Sequence, residues 1–251
     1  MLEVQALECR VKDKIILSID TVSIVSGELS AVIGTNGAGK STLLKAISDD
    51  IYSSGDIRFH NRPLSQWSPL ERARHLAVLP QSSQLNFPFK AGEVVALGLT
   101  PLSMTQKDAR AQIKTEMTRT GCYHLFDNSY PQLSGGEKQR VQLARVLVQL
   151  CQATKPPLLL LDEPTSAQDL GQQHSLLKLI KNLCEEQGYA SLAILHDLNH
   201  VIAYSHQCIV LHGGRLMERG SPLECLTEQS IAEYWGYQAK LVKHQGQNVI
   251  I

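Results

Sequence analysis

A glycine-rich segment near the start of the chain has the residue types and the spacing that bind phosphate groups. It consists of Gly34, Thr35, Asn36, Gly37, Ala38, Gly39, Lys40, Ser41 and Thr42, which fits the pattern G-x-x-x-x-G-K-[ST]. Glycines let successive backbone N–H groups curve around phosphates, the Lys40 ammonium reaches the β and γ phosphates, and the Ser41 hydroxyl ligates Mg²⁺. About one chain in a hundred of this length would match this pattern by accident. Whether the segment binds phosphate is therefore judged from the elements on either side of it.

Those neighbouring elements have the required form. The apolar run Leu29–Ile33 has the length of a buried strand, and residues 41–48, which follow the glycines, have a helical pattern. The motif binds phosphate when a strand precedes it and a helix follows it. We therefore predict a phosphate-binding loop at this connection.

An acidic pair, Asp162 and Glu163, directly follows a second apolar run, Leu158–Leu161. A leucine-rich strand that ends in acidic residues is common, so this signal is weak without the phosphate loop. With the loop, a buried strand delivers the two carboxylates to the phosphate end of the sheet. We predict that Asp162 holds Mg²⁺ and that Glu163 orients and polarises the attacking water.

The order of the elements predicts an α/β fold. A third apolar run, residues 190–195, ends at His196, and helical patterns separate the three runs. Alternating strands and helices indicate a parallel sheet with right-handed crossovers and with ligands at the carboxyl ends of its strands. Residues 87–132 carry helical patterns without a clear strand, notably residues 106–120, so we predict an inserted helical lobe there.

A third motif begins the long helix predicted over residues 137–153. It reads LSGGEKQR over residues 133–140. Ser134 can cap the helix, and Gly135 and Gly136 can expose backbone N–H groups to an anion. From these residues alone two interpretations stay open: a second phosphate-contact site, or an ordinary capped helix, which the physical chemistry favours.

These segments, in this order, resemble the ATP-binding cassette (ABC) superfamily over nearly the whole chain, and residues 133–140 match the signature of that family. The resemblance implies a P-loop NTPase (RecA-like) core with a mainly parallel sheet, an N-terminal antiparallel β subdomain and an inserted helical subdomain. It implies one domain over residues 1–251, with residues 1–86 and 153–251 as catalytic core and residues 87–152 as helical lobe.

The resemblance also implies a role for each motif. Glu163, His196 and Gln81 would be catalytic, and Ser41, Gln81 and Asp162 would hold Mg²⁺. In a head-to-tail homodimer, the signature of one subunit would cover the γ phosphate of ATP held by the loop of the other. The signature residues are Ser134, Gly135, Gly136 and Glu137.

Two of these residues have simpler interpretations. Gln81 alone would be an ordinary loop glutamine. His196 and His200 lie four residues apart with an acid beside the first, like the zinc-binding H-E-x-x-H, but Asp197 replaces the glutamate and His196 ends a strand rather than lying in a helix. We therefore expect no zinc site here. The resemblance implies a γ-phosphate switch at His196, and we expect a solvated helix residue at His200.

The chain departs from the family pattern at three places. Gln168 stands where the loop formed by Ser166, Ala167, Gln168 and Asp169 usually has leucine. Residues 7–14 contain no aromatic residue to stack on adenine, and Cys9 or Val11 is nearest to its place. Thr35 replaces proline in the phosphate loop, where we expect the backbone to make the contacts.

The composition excludes several classes of protein. Lys plus Arg and Asp plus Glu each total 24, so the net charge gives no support for a nucleic-acid partner. No apolar stretch is long enough for a membrane span and the first ten residues include Glu3 and Glu8, so we expect a chain that neither spans a membrane nor is exported. Six dispersed cysteines without a C-x-x-C pair indicate reduced thiols rather than zinc, Fe–S or disulfide sites.

Four further segments, residues 79–83, 87–89, 94–98 and 196–199, resemble the importers of haem, vitamin B12 and ferric siderophores, and residues 151–157 look most like the haem branch. The resemblance implies an ATPase that drives hemin uptake through a separate integral membrane permease dimer supplied by a periplasmic cargo-binding protein. The ATPase would lie at the cytoplasmic face of the bacterial inner membrane. The alternatives are vitamin B12 or siderophore import, and a soluble ATPase such as an iron–sulfur assembly factor.

Two aromatic residues follow the glutamine of the first of these segments. Phe87 and Phe89 flank a proline in the lobe that the family uses to dock its permease. They are either an exposed anchor for that partner or part of the core of the lobe, and the sequence leaves both open.

Overall fold

The computed structural model describes residues 1–81, 87–166 and 168–251 of the chain. The three apolar runs are buried strands, as predicted, and the helical patterns are helices within a few residues of their predicted ends. The strands are β1 Leu2–Val11, β2 Lys14–Ile24, β3 Leu29–Ile33, β4 Ser54–Phe59, β5 Arg62–Pro63, β6 Leu76–Leu79, β7 Leu158–Leu161, β8 Ala190–Ile194, β9 Gln207–His212, β10 Arg215–Gly220, β11 Leu241–His244 and β12 Gln247–Ile250. The helices are α1 Lys40–Ile47, α2 Pro69–Ala73, α3 Ala91–Ala96, α4 Gln106–Arg119, α5 Gly135–Leu150, α6 Leu170–Gln187, α7 Leu198–Tyr204, α8 Pro222–Cys225 and α9 Glu228–Trp235.

One large mixed sheet runs through the molecule in the order β5-β4-β1-β2-β10-β9-β3-β8-β7-β6. The strands β9, β3, β8, β7 and β6 pair in parallel. At the other end β1 pairs antiparallel with β2 and β4. The prediction of a mainly parallel core with an N-terminal antiparallel part is therefore confirmed.

The register of the parallel strands brings the predicted chemical groups to one edge. Leu79 lies opposite Leu161, and Leu161 lies opposite Ala193. Val32 in turn lies opposite Ile194. Because these strands run in the same direction and end at nearly the same level, the residues that follow them leave the sheet side by side. The phosphate loop, the acidic pair and the residues after β6 and β8 all start there.

Two clusters of buried side chains cover the two faces of the sheet, and β7 contributes to both. Leu159 and Leu161 belong to the cluster that includes α5 and α6, whereas Leu158 and Leu160 belong to the cluster that includes α1. All four side chains are fully buried, and each stabilises the fold by about 1.5–3 kcal/mol relative to exposure. Burial on both faces explains the unbroken leucine run.

A third cluster of buried side chains is formed by residues between 91 and 148, from α3, α4 and α5. Helix α5 belongs to two clusters at once. Its residues Val141 and Ala144 lie in the third cluster, while Leu143 and Leu147 lie in the cluster of α6. Helix α5 therefore packs against the sheet and against the helices α3 and α4.

The remaining predictions about this chain as a whole concern the membrane and the cysteines. No helix in the described ranges combines the length and apolar character needed to cross a membrane. All six cysteines are free thiols, and Cys151 alone among them is half-buried rather than buried.

Candidate functional site

The phosphate loop lies between β3 and α1 and has the backbone conformation that its glycines allow. Gly34, Gly37 and Gly39 have φ angles of 146°, 77° and 98°, a region that is costly for residues with a side chain. A Cβ atom on Gly34 would lie 2.0 Å from the carbonyl oxygen of Leu211, whereas one on Gly37 would extend into open space. This open space beside the N-terminus of α1 fits a phosphate group.

The Lys40 side chain crosses the loop from the start of α1. Its Nζ donates hydrogen bonds to the carbonyl oxygens of Gly34 at 2.8 Å and Thr35 at 3.0 Å. Burial lowers the pKa of Lys40, and the nearby carboxylates of Glu163 and Asp162 oppose that shift. Thr35 contacts Lys40 through its backbone carbonyl.

Ser41 and Asp162 form the pair expected to ligate Mg²⁺. The Ser41 hydroxyl donates to Asp162 Oδ1 at 3.2 Å, although 121 residues separate them in the chain. Burial raises the pKa of Asp162, and Glu163 adds to the rise, while the hydrogen bond from Ser41 and the charges of Lys45 and Lys40 oppose it. A hydroxyl and a carboxylate are hard oxygen ligands, so this donor set fits Mg²⁺.

Glu163 joins the two other residues for which a catalytic role is predicted. Its Oε2 accepts a hydrogen bond from Gln81 Nε2 at 2.6 Å, and its Oε1 lies 2.7 Å from His196 Nε2. The three side chains follow β6, β7 and β8, so the parallel register brings them together. Glu163 also has a positive φ of 50°, which is uncommon for residues with a side chain and clusters at functional sites.

A cavity of about 230 Å³ adjoins the loop and reaches Glu163. It is lined by residues 36–42, by Glu163 and by Ile16. Sequence reasoning missed Ile16, and also Gln139, whose Nε2 donates to the backbone carbonyl of Glu163 at 3.3 Å. Ile16 could have been found as an apolar residue just after the β1–β2 turn; the spacing of Gln139 in the signature gave no such signal.

The structure corrects one candidate for contact with the adenine. Cys9 is buried in the core and cannot reach a ligand. Val11 is 57% exposed, and Ile16 lines the cavity itself.

The signature residues form a complete helix cap at the start of α5. Ser134 Oγ accepts from the Glu137 N–H at 3.4 Å, and Glu137 Oε2 accepts from the Ser134 N–H at 2.8 Å. The Ser134 hydroxyl and then its backbone N–H lower the pKa of Glu137. The predicted cap is thus confirmed. Gly135 and Gly136 follow it in the first turn, and in the part of the chain that the structure describes none of these four residues lines the cavity at the phosphate loop of the same chain.

His200 is not a solvated residue, so that prediction was wrong. Its side chain is buried, and its ring centroid lies 5.0 Å from that of His174. His200 is buried because it lies on the side of α7 that faces α6. Burial lowers the pKa of His200. His196 precedes the helix and contacts Glu163 instead, so the two rings of the zinc-like pattern have different partners.

Phe87 and Phe89 differ in burial, so only Phe89 fits the alternative in which these side chains belong to the core of the lobe. Phe87 is 69% exposed, whereas Phe89 packs against the third cluster. Three residues named with the motifs, Ser82, Ser83 and Ala167, lie outside the described residues.

Comparison with known proteins identifies the family of this chain. The sequence model of a family described as "ABC transporter" matches residues 17–166, which run from β2 past the acidic pair. The chain belongs to the ABC transporter family. As an ABC ATPase it binds ATP with Mg²⁺ and couples ATP hydrolysis to transport.

Curated relatives match the ABC chain over almost its full length. It is 46% identical over 246 residues to the Hemin import ATP-binding protein HmuV of Shewanella denitrificans, covering 98% of this chain and 97% of the relative. It is 44% identical over 223 residues to the protein of the same name from Vibrio cholerae, covering 89% and 86%.

Solved structures of ABC proteins share the fold. CbiO1 of Clostridium perfringens, described as part of the ABC transporter complex CbiONQ, is 29% identical with a TM-score of 0.79, covering 92% of each chain. The ATP-binding cassette MJ0796, in a dimeric post-hydrolysis state bound to ADP and Pi, is 24% identical with a TM-score of 0.78, covering 88% of this chain and 99% of that one. At that identity the second likeness concerns the fold alone.

Proposed function

We propose that this ABC protein is the ATPase subunit that drives hemin import through a separate permease. The contact of Glu163 with both Gln81 and His196 beside the phosphate loop carries the proposal of hydrolysis. The cargo assignment is supported by the relatives, which bear the name of hemin import ATP-binding proteins at 39–46% identity.

Each site residue has a proposed task that follows from its position. Residues 34–42 bind the phosphates through backbone N–H groups and the Lys40 ammonium. Ser41, Asp162 and Gln81 hold Mg²⁺, which neutralises phosphate charge when bound. Glu163 accepts a proton from the attacking water, because its two carboxylate oxygens are held at the edge of the phosphate cavity.

His196 is proposed as the residue that detects the γ phosphate. Its Nε2 lies against Glu163 Oε1, and nearly half of its side chain is exposed. A neutral imidazole donates a hydrogen bond from one nitrogen only. The N–H group that donates to Glu163 can therefore donate to a phosphate oxygen instead. Release of phosphate would return this donor to Glu163.

We further propose a head-to-tail homodimer in which the signature of one subunit binds ATP held by the other. The first N–H groups of α5 have no acceptor inside their own helix, and those of Gly135 and Gly136 form no hydrogen bond to another described residue, so they can meet a phosphate from outside. The four signature residues lie away from the loop cavity of their own chain, so the contact needs a second subunit.

The remaining partners follow from transport. We propose a membrane permease dimer as the transport pathway, a periplasmic protein that delivers the cargo, and a peripheral position on the cytoplasmic face of the bacterial inner membrane. Residues 87–152 would be the helical lobe that contacts the permease, because α3, α4 and α5 share a cluster of their own. The exposed Phe87 would be its anchor.

Two alternatives use the same nucleotide site. The motor could serve vitamin B12 or ferric siderophore import, or it could be a soluble ATPase such as an iron–sulfur assembly factor. In each alternative the described residues of this chain do not have to contact the cargo. The alternatives are therefore distinguished by an uptake experiment.

The test is uptake of labelled hemin, cobalamin and a ferric siderophore by cells carrying Lys40→Ala at the native locus. We expect hemin uptake alone to be lost. Lys178→Ala, which removes an exposed lysine from α6, is the matched control and should transport normally. Loss of another cargo would move the protein to that branch, and unchanged uptake of all three would favour the soluble ATPase.

A further inference from the structure

The end of the chain forms a hairpin of β11 and β12 that is separate from the main sheet. Leu241 lies opposite Ile250, and the neighbouring residues Lys240 and Ile251 exchange two backbone hydrogen bonds at 2.9 and 3.0 Å. In an antiparallel pair such hydrogen-bonded positions alternate with positions whose N–H and C=O groups point outward. The backbone groups of Ile250 therefore face away from β11.

The side chain of Asn199 occupies this outward edge of β12. Its Nδ2 donates to the carbonyl oxygen of Ile250 at 3.1 Å, and its Oδ1 accepts from the Ile250 N–H at 2.8 Å. The amide thus pairs with Ile250 as a residue of a neighbouring strand would. Since an amide group offers one donor and one acceptor side, few other residue types can make both bonds.

Asn199 lies in the first turn of α7, next to the proposed phosphate sensor. Asp197 caps this helix through hydrogen bonds from the N–H groups of Asn199 and His200 at 2.8 and 3.3 Å. His196 directly precedes the cap and follows β8, whose Ile194 lies in register with Val32. The sheet therefore holds His196 from one side, and the first turn of α7 holds it from the other.

The hairpin is itself fixed to the body of the protein. The Leu241 N–H donates to Glu228 Oε1 at 2.9 Å, and Glu228 begins α9, whose Ile231 is buried in the main core. Ile250 packs against the same cluster. An anchored hairpin can resist rotation of α7 in a way that a free tail could not.

We propose that Asn199 is a positioning residue through which the C-terminal hairpin sets the placement of His196 against Glu163. The inference rests on the role of His196 in the proposed function. It assigns the tail a part in the hydrolysis cycle, because a displacement of β12 would move Asn199, which lies in the helical turn that follows His196.

The variants Asn199→Ala and Asn199→Asp test this contact. Alanine removes both hydrogen bonds, while aspartate sets a carboxylate oxygen against the Ile250 carbonyl oxygen. A carboxylate in the first turn stabilises a helix, so a merely structural role for Asn199 in α7 predicts that aspartate is harmless. The proposal predicts that aspartate is at least as damaging as alanine. Asn248→Ala is the matched control, because among the described residues its side chain makes no hydrogen bond to α7.

Two readouts on the full chain decide the outcome. For both Asn199 variants we expect kcat for ATP hydrolysis to fall by about threefold to tenfold with KM changed less than about twofold. The imidazole NMR signal of His196, identified by its loss in His196→Ala, should shift in nucleotide-free protein. Asn248→Ala should change neither readout.

A wild-type kcat in Asn199→Asp, or an unshifted His196 signal in both variants, would overturn the proposal. The role of His196 in hydrolysis and the positioning role of Asn199 can be rejected independently. If His196→Ala hydrolyses ATP at the wild-type rate, the proposed role of His196 is wrong, and the NMR comparison alone decides whether Asn199 positions its ring.

Discussion

At the scale of single residues, the site depends on how Glu163 is held. Both of its carboxylate oxygens have a partner, and its backbone carbonyl accepts from Gln139 and from the Ser166 hydroxyl. These contacts hold Glu163 at both side chain and backbone in a conformation that is uncommon for residues with a side chain. In this conformation Glu163 lies beside the phosphate cavity, which is what a base for the attacking water requires.

Replacement of this carboxylate should separate ATP binding from hydrolysis. In Glu163→Gln the amide keeps the size of the side chain but cannot accept the proton, so we expect ATPase activity to fall by about a hundredfold or more. ATP binding should persist, and light scattering should detect a dimer that ATP stabilises. Glu186→Gln at the exposed end of α6 is the control. Turnover near the wild-type rate would remove Glu163 from the mechanism.

Gln168 is expected to lower the free energy of unfolding by an amount that can be measured. Within the described residues the amide nitrogen and oxygen of Gln168 are buried without a hydrogen-bond partner. Replacing such an amide with an apolar group of similar shape removes its desolvation cost, so Gln168→Leu should raise the free energy of unfolding by about 1 kcal/mol. Denaturant titration measures this.

The neighbouring Gln172 is the matched control for that experiment. Its Oε1 accepts from Arg140 Nη1 at 2.6 Å, so Gln172→Leu leaves a guanidinium without this acceptor. We expect the free energy of unfolding to fall by about 1 kcal/mol. Equal effects of the two substitutions would show that the unpaired amide of Gln168 is not the cause.

At the scale of elements, helices α4 and α5 show how burial is distributed between the lobe and the core. Helix α5 contributes to two clusters, whereas α4 buries one side only, with Ile113 and Met117 in the third cluster. Glu116 is also buried on α4, where Gln112 donates to Oε1 at 2.9 Å and Arg119 lies 3.3 Å from Oε2. Burial raises the pKa of Glu116, and the charge of Arg119 opposes this only in part.

This raised pKa predicts how stability depends on pH. A carboxyl group whose pKa is higher in the folded state favours folding while it is protonated, and that contribution is lost as pH rises through the folded pKa. The free energy of unfolding of Glu116→Gln relative to wild type should therefore increase from about pH 4 to about pH 8. A flat difference for Glu116→Gln would contradict the burial argument.

At the scale of the whole molecule, the nucleotide edge of the sheet and the helices α3 and α4 belong to different parts of the fold. The site residues follow β3, β6, β7 and β8, while α3, α4 and α5 form a separate cluster. Under the proposed function, two subunits close on ATP. Their helical lobes, residues 87–152, would move in this step together with the permease. The step from chemistry to transport thus depends on a surface outside the nucleotide site.

Phe87 tests that surface. We expect Phe87→Ala to reduce copurification with the membrane permease by about fivefold or more, because an exposed aromatic anchor contributes roughly 1–2 kcal/mol to an interface. Tyr52→Ala is the control. Tyr52 is 90% exposed, but it follows α1 and lies outside residues 87–152. Equal recovery of the permease with both variants would place the docking surface elsewhere.

The sequence by itself determined the local features of this protein. The pattern of the phosphate loop, the apolar strands before the loop, the acidic pair and His196, and the cap of Ser134 all arise within a few residues, so propensity and spacing predict them. The family resemblance supplied Gln81, His196 and the signature contact, whose roles remain proposals. The division at residues 87–152 also stays a prediction.

Only the tertiary structure decided which of these residues meet. Strand register brings Gln81 and His196 to Glu163, and helix packing buries His200 against His174. The amide of Asn199 meets Ile250 across 51 residues of chain. Such contacts depend on the relative placement of elements far apart in sequence, which no local pattern encodes.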